Sequence, residues 1–476
     1  MVMRHHKESR TGGGNVGRWR QLRAVGLLLA GGVLSLAGFH PGAPPHLPAP
    51  GPVLIRALPG LGLRQSMADA YPVRPPLPQS WSQWGNSPTH FAAYAASPFV
   101  GGFSRALPVG SPVVGQVAVL AGGRAYVASN GGVVQAWNLT HSIRLWSHKL
   151  DNQVMTTPLV VKAGGRRLVI VGLGNARFRR WSPTQGWTRG QGSNGLVALD
   201  ARTGRVRWRT PTVGEDMPTP AVWDGRVYEV TGSGTLLVLA AATGKPLWRL
   251  RLGGFDSMSS PMVSGETAYV VTNVYTRAYP AARSTVYAIN LATHRVRWAA
   301  SLPVASGLSD CTPALSATRL YIAGVARVAW VGHRARVSSV LFGLDRQTGT
   351  IVWQHPLGSG PLPLDQEEVG IPLAVGSSVY EANPANGEAF RLTAGGRMLW
   401  SVRLPHGTAT GSPAAVGPTV VWGTTRGCLD AISAVTGKPL AATCLGTGAI
   451  GPSSPVAVGH YVVIGTLGGW LDVVSL

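Results

Sequence analysis

The chain has 476 residues, a formal charge of +23 and three cysteines. With no Cys-x-x-Cys-His run, a covalently attached c-type haem is excluded. The positive excess draws anionic surfaces such as phosphate-rich membrane, acidic polysaccharide or nucleic acid, but most of the cations are arginine and arginine-rich codon usage accounts for the bias equally well.

Arg18, Arg20 and Arg23 precede an uncharged stretch from Ala24 to Phe39 that contains the small-x-small site Ser35-Leu36-Ala37. Residues 1–39 therefore read as a secretory signal, or alternatively as an uncleaved anchor, although the apolar stretch is shorter than the roughly 20 residues of a spanning helix. No cysteine follows it to carry a lipid. Cleavage after Ala37 would lower the charge to about +18, because six basic residues and one acidic residue are lost. Residues 40–80 are proline-rich, as in Arg74-Pro75-Pro76-Leu77-Pro78, and read as an extended spacer. The expected location is extracytoplasmic: secreted or periplasmic, or tethered to a membrane through the N-terminal segment. Export removes nucleic acid from the expected partners.

From Trp81 onward one pattern recurs. Short apolar strands end in tryptophan at Trp146, Trp208, Trp248, Trp298, Trp353 and Trp400, and a seventh copy has Ala441 in that place. Successive copies are separated by 62, 40, 50, 55, 47 and 41 residues, a period that means stacked or radial repeats. The clearest copy runs from Thr219, turns at Asp224-Gly225, at Gly232-Ser233-Gly234 and at Thr243-Gly244, and ends on Trp248. That is four antiparallel strands with glycine at the turns. Helical periodicity is absent, so the expectation is an all-β propeller of four-stranded blades occupying residues 81–476. Each tryptophan sits on the outermost strand and wedges against a neighbouring blade. The last unit, through Trp470 to Val474, lacks a fourth strand, and the segment around Phe99 to Leu107 supplies one. Eight blades closed by an N-terminal strand are expected, with a seven-bladed ring as the alternative; closure removes exposed edges.

The order of Asp200, Thr203, Gly204 and Trp208, repeated as Asp345, Thr348, Gly349 and Trp353, resembles the repeat of pyrroloquinoline quinone (PQQ) propellers. The entry segment Trp81 to His90 resembles the stretch that precedes the first blade in that superfamily. The resemblance implies the propeller fold. Its members include dehydrogenases, outer-membrane assembly factors and many proteins that bind no quinone.

Strand parity puts the inter-blade connections and the second-to-third hairpins on one face. That face carries Asp151, Glu215, Asp216, Asp256, Asp310, Asp365, Glu367 and Glu368, together with insertions at Asn175 to Asn194, Tyr275 to Ser284 and Arg327 to Ser338. These acids are the candidate channel-face ligands. Acidic loops of this kind can supply the oxygen donors that Ca²⁺ needs, and the resemblance implies a calcium beside a quinone; solvated loop residues are the plain alternative. No adjacent Cys-Cys pair exists to stack on a quinone, and no cofactor is expected. Arg177, Arg179, Arg180, Trp181 and Trp187 mix guanidinium groups with aromatics as a partner contact does. The histidines, among them His294 and His406, read as ordinary surface or turn residues. Cys428 and Cys444 lie equidistant from Thr436 and would face each other across a hairpin as a structural disulfide; Cys311 is left over.

These readings describe an exported, monomeric propeller that works as a non-enzymatic binding scaffold at the cell envelope, with an envelope protein or an anionic surface as partner. Two alternatives stay open: a PQQ- and calcium-dependent dehydrogenase, and an outer-membrane assembly factor.

Overall fold

The computed structural model describes residues 99–476, apart from 103, 121, 176, 178–188, 277–278, 306–310, 333 and 363–369, together with the short strand Ala93–Tyr94. The expected signal, the spacer and the segment Trp81 to His90 lie outside the described residues. The described chain is all strand and forms eight antiparallel four-stranded sheets. Blades 1 to 7 occupy 118–149, 159–211, 221–251, 262–302, 314–361, 373–403 and 414–444 in chain order. Blade 8 takes three strands from 456–475 and its outer strand from Ser104–Pro108, which pairs with Trp470–Ser475. The ring is thus closed by its own N-terminal side, and the seven-bladed alternative is set aside. Ala93–Tyr94 adds a parallel strand to the innermost strand of blade 7, Ala414–Val416, a pairing the sequence pattern did not announce.

The core lies between blades, where the alternating apolar residues of one sheet face those of the next. Val134, Ala136 and Tyr126 of blade 1 pack with Val171, Val197 and Leu199 of blade 2, and the same layering repeats around the ring. A ladder at the inner strands stitches it together. The backbone N–H of Gln116 donates to Thr157 Oγ1, Thr157 N–H to Thr219 Oγ1, Thr219 N–H to Ser260 Oγ and Ser260 N–H to Thr312 Oγ1. Ser412 N–H likewise donates to Ser454 Oγ, and Ser453 Oγ to Gly115 O.

A second ladder runs around the outside. The indole N–H of Trp146 donates to Ala201 O of the next blade, Trp208 to Ala241 O, Trp298 to Arg346 O, Trp353 to Ala394 O and Trp400 to Ala434 O, at 3.0–3.2 Å. Each carbonyl belongs to a turn whose first residue, Asp200 or Asp345 in the clearest cases, accepts from the backbone N–H two and three residues on. The glycine of that turn lies beneath the ring. A Cβ on Gly244, where φ is +69°, would stand 2.4 Å from Trp208, and one on Gly204 2.7 Å from Trp146. The Thr-Gly of the repeat therefore has a steric cause. Blade 4 departs from it: His294 takes the glycine position at φ 58° and stacks on Trp248 with centroids 4.2 Å apart. Where blade 8 meets blade 1 no tryptophan is present, and the Arg105 guanidinium donates to Leu139 O, the equivalent carbonyl.

Candidate functional site

The loop-bearing face is built as the strand order requires. Between the second and third strands of blades 4 and 5 the insertions are lengthened strands: Thr267–Thr276 pairs with Tyr279–Asn290 and Arg319–Val331 with Arg334–Asp345, so that both blades project hairpins from this face. In blade 2 the insertion is pinned at its base, where Asn152 Nδ2 donates to Gln191 O and Ser193 O, and Asn175 Nδ2 to Gln191 O.

Beneath that insertion lies the connector from blade 2 to blade 3. Arg189 Nε stands 2.7 Å from Glu215 Oε1, and both side chains are almost wholly buried. The dipeptide Glu215-Asp216 is enclosed by glycines whose missing side chains make room for it. A Cβ on Gly172 would lie 1.8 Å from Asp216 O, and those on Gly174 and Gly190 2.4 Å from the Glu215 Cβ and backbone N. Gly172-Leu173-Gly174 is thus a packing device for a buried ion pair.

Asp216 and Asp256 are fully buried in the connectors that lead into blades 3 and 4, and Glu229 in the second strand of blade 3. Burial pushes Asp216 well above the usual carboxylate range, against the opposing hydrogen bond from Thr212. It pushes Glu229 well above as well, helped by the charges of Asp216 and Asp256; neither carboxyl oxygen of Glu229 has a hydrogen-bond partner. The Thr212 hydroxyl donates to Gly214 O at 3.1 Å and also meets Asp216 Oδ2. A hydroxyl has one proton to give. With that proton on Gly214, the bond to Asp216 is satisfied when the carboxyl is protonated and donates.

Thr212 also lines a groove of about 970 Å³ between blades 2 and 3. Its other walls include Thr210, Ser233, Thr235, Trp248, Arg249 and Arg251. Hydroxyls and two guanidinium groups over an apolar floor are the donors an anion needs. Val114, Met155 and Met217 form a buried apolar cluster, with Met258 and Leu467 packed against it.

Of the candidate channel-face acids, Glu215 is committed to Arg189, Asp216 to Thr212, and Asp256 is buried. Asp151 is exposed and pairs with Arg209 at 2.9 Å. Asp310, Asp365, Glu367 and Glu368 lie outside the described residues, as do Arg179, Arg180, Trp181 and Trp187; Arg177 is described and exposed. Among the described residues, the one group of His, Cys, Asp and Glu that converges closely enough for an ion is His406 with Cys428 and Cys444. Those two sulfurs are bonded to each other. The described acids therefore do not form a calcium cage, and no adjacent cysteine pair is present to stack on a quinone.

Sequence reasoning missed Glu229, Glu381, Asp430 and Asp472, because each is a lone acid inside an apolar strand. Glu381 is buried and pushed up to about 8 by desolvation; it stands in blade 6 where Glu229 stands in blade 3, and the shared Val-Tyr-Glu was the available signal. Asp472, bonded by Thr447 Oγ1 at 2.6 Å, is pushed by burial to about 7. His406 is not an ordinary turn residue: Nδ1 lies 2.6 Å from buried Asp430. Cys311 is buried, its Sγ 3.3 Å from Gly370 O.

The family model described as outer membrane protein assembly factor BamB, of the PQQ-repeat type, matches residues 192–380 and 282–473. Tetrathionate hydrolase of Acidithiobacillus ferrooxidans is 30% identical over 255 residues, which are 52% of this chain and 49% of that protein. The chain thus spans about half the length of this curated relative. The crystal structure of BamB from Moraxella catarrhalis superposes with a TM-score of 0.56 at 16% identity, covering 79% of this chain and 99% of that one. A europium-containing methanol dehydrogenase superposes with a TM-score of 0.59 at 13% identity, covering 83% and 98%. The two structural likenesses establish the fold.

Proposed function

Because this chain belongs to the PQQ-repeat family described as outer membrane protein assembly factor BamB, we propose that it is an exported envelope propeller that binds and hydrolyses a sulfur oxyanion of the tetrathionate type. The observation that carries the reading is the groove between blades 2 and 3, where Arg249 and Arg251 stand with hydroxyls beside Thr212, and Thr212 is bonded to the buried carboxyl of Asp216. The similarity to tetrathionate hydrolase supports it.

A dianionic sulfur chain fits guanidinium and hydroxyl donors. Asp216, kept neutral by burial, is a proton donor: its proton passes to the Thr212 oxygen while the Thr212 hydroxyl turns from Gly214 O toward the ligand. Water's oxygen bonds to one sulfur and its surplus proton passes to solvent; the S–S bond breaks with its electron pair on the leaving sulfur, which takes the proton relayed through Thr212, and Asp216 is reprotonated from solvent through the same hydroxyl. Asp216→Asn removes the donor at nearly constant shape and lowers turnover by about 10²- to 10⁴-fold with ligand binding retained. Arg249→Ala with Arg251→Ala weakens binding, read as a rise in KM. Full turnover in the Asp216→Asn protein would end this reading.

A second reading, the non-enzymatic scaffold, is favoured by the projecting hairpin of blade 5, whose Trp330 and Val331 are 40% and 63% exposed. Exposed apolar groups at a hairpin tip are suited to a protein partner in the envelope. Capture of one defined envelope protein, lost on Trp330→Ser with Val331→Ser, supports it; unchanged capture removes it.

A further inference from the structure

Cys428 and Cys444 are directly opposed on neighbouring strands of blade 7 and are joined by a disulfide. A brace alone needs only the two cysteines, yet this one stands on the loop-bearing face beside a polar pair. An imidazole nitrogen of His406 and the two sulfurs all lie within 4.8 Å of one another. Asp430, buried at the centre of the same strand as Cys428, holds His406 twice: its Oδ1 is 2.6 Å from Nδ1 and its Oδ2 accepts the His406 backbone N–H at 3.0 Å. Holding Nδ1 against a carboxylate leaves Nε2 as the free nitrogen of the ring. Access is also unequal, since Cys444 is exposed whereas Cys428 is buried.

We propose that Cys428–Cys444 is a redox-active disulfide that exchanges with an external dithiol, with His406, positioned by Asp430, moving the proton. His406 takes the proton of the first donor thiol. The donor sulfur bonds to Cys444 Sγ, the Cys428–Cys444 bond breaks, and the electron pair leaves on Cys428, which receives the proton from the imidazolium. The second donor thiol then attacks the donor sulfur of the mixed disulfide and releases the donor as its own disulfide, while Cys444 leaves as a thiol with the second proton. Two electrons and two protons have passed from the dithiol to the cysteine pair. A thiolate formed beside an imidazolium is favoured over one in apolar surroundings. Nothing in this step uses the groove between blades 2 and 3.

The test treats the full folded chain with dithiothreitol in the absence of denaturant, quenches with iodoacetamide, and follows alkylation at Cys428 and Cys444 by mass. The wild type is expected to reduce fully with its fold intact by circular dichroism, and its rate is recorded across pH. His406→Gln and Asp430→Asn are expected to slow reduction on the order of 10-fold at neutral pH and to change the shape of that profile. Cys444→Ser leaves Cys428 free for alkylation and checks that the fold survives without the bond. Reduction only after denaturation would overturn the proposal. So would a His406→Gln protein reduced at the wild-type rate with an unchanged pH profile, or a reduced protein that binds Zn²⁺ but does not reoxidise with oxidised dithiothreitol.

Discussion

Raising the pH from about 4 to about 8 is expected to destabilise this protein, and Glu381 gives the scale. Its carboxyl is buried, accepts one hydrogen bond from Ala382 N–H at 3.0 Å, and is held at about 8 from an ordinary 4.5. Because the folded state holds the proton more tightly, the stability this group contributes is fully present below 4.5 and is lost as the pH rises through 8. Within that window the folded state carries one more proton than the unfolded chain, so the slope is about 1.4 kcal/mol per pH unit and the loss across the window about 5 kcal/mol. Asp472, raised to about 7, adds a loss of the same sign between its ordinary 3.8 and 7. With an unfolding entropy of roughly 2.1 cal/mol/K per residue, 5 kcal/mol over some 380 residues corresponds to a midpoint about 6 °C lower. The opposite contribution comes from Asp200, held at about 2 chiefly by Arg207; its stability is present above 3.8 and is lost only as the pH falls through 2. The assay is thermal unfolding by circular dichroism across this range for the wild type and for Glu381→Gln, which has no titrating group at that position. The variant is expected to lose a smaller share of its midpoint between the two ends. A wild type whose midpoint rises toward pH 8, or a Glu381→Gln protein with an unaltered slope, would refute the reasoning.

Gly244→Ala, with its Cβ forced onto Trp208 at positive φ, is expected to cost about 3 kcal/mol in denaturant midpoints; Gly225→Ala, which has positive φ but open space around it, costs only the conformational part. Removing one partner of the buried ion pair by Arg189→Ala leaves Glu215 uncompensated and costs about 3–5 kcal/mol, read by chemical denaturation at neutral pH. Arg105→Ala weakens the closure of the ring, so hydrogen exchange should quicken in Ser104–Pro108 and Trp470–Ser475 before it does in blade 3. PQQ added with Ca²⁺ is expected to leave the thermal midpoint unmoved, where a ligand at 100 times its Kd would contribute about 2.7 kcal/mol.

The ring was legible because two sequence periods coincide, the alternation of each strand and the return of tryptophan with Thr-Gly; the close approach of Gly204 and Gly244 to indole rings shows why those residues travel together. The missing fourth strand after Trp470 marked the closure, and Ser104–Pro108 fills it. Legibility ends where one residue acts alone across a blade boundary. Arg105 replaces an indole, His294 replaces a glycine, and Glu229 or Glu381 sits inside a strand that reads as apolar; none of these leaves a period. The loop-bearing face was legible through strand parity, as the lengthened hairpins of blades 4 and 5 show. Its chemistry was not, because what separates Asp151, exposed beside Arg209, from Asp216, buried beside Thr212, is packing by glycines that lie some 40 residues away in the chain.

The most direct test of the functional account is consumption of tetrathionate by the purified full chain, measured from about pH 3 to about pH 8 for the wild type and for Asp216→Asn. The account predicts turnover that is greatest in acid and falls by at least about 100-fold in the variant while the ligand still binds. A wild type that binds tetrathionate without consuming it at any pH, or an Asp216→Asn protein as active as the wild type, would contradict it.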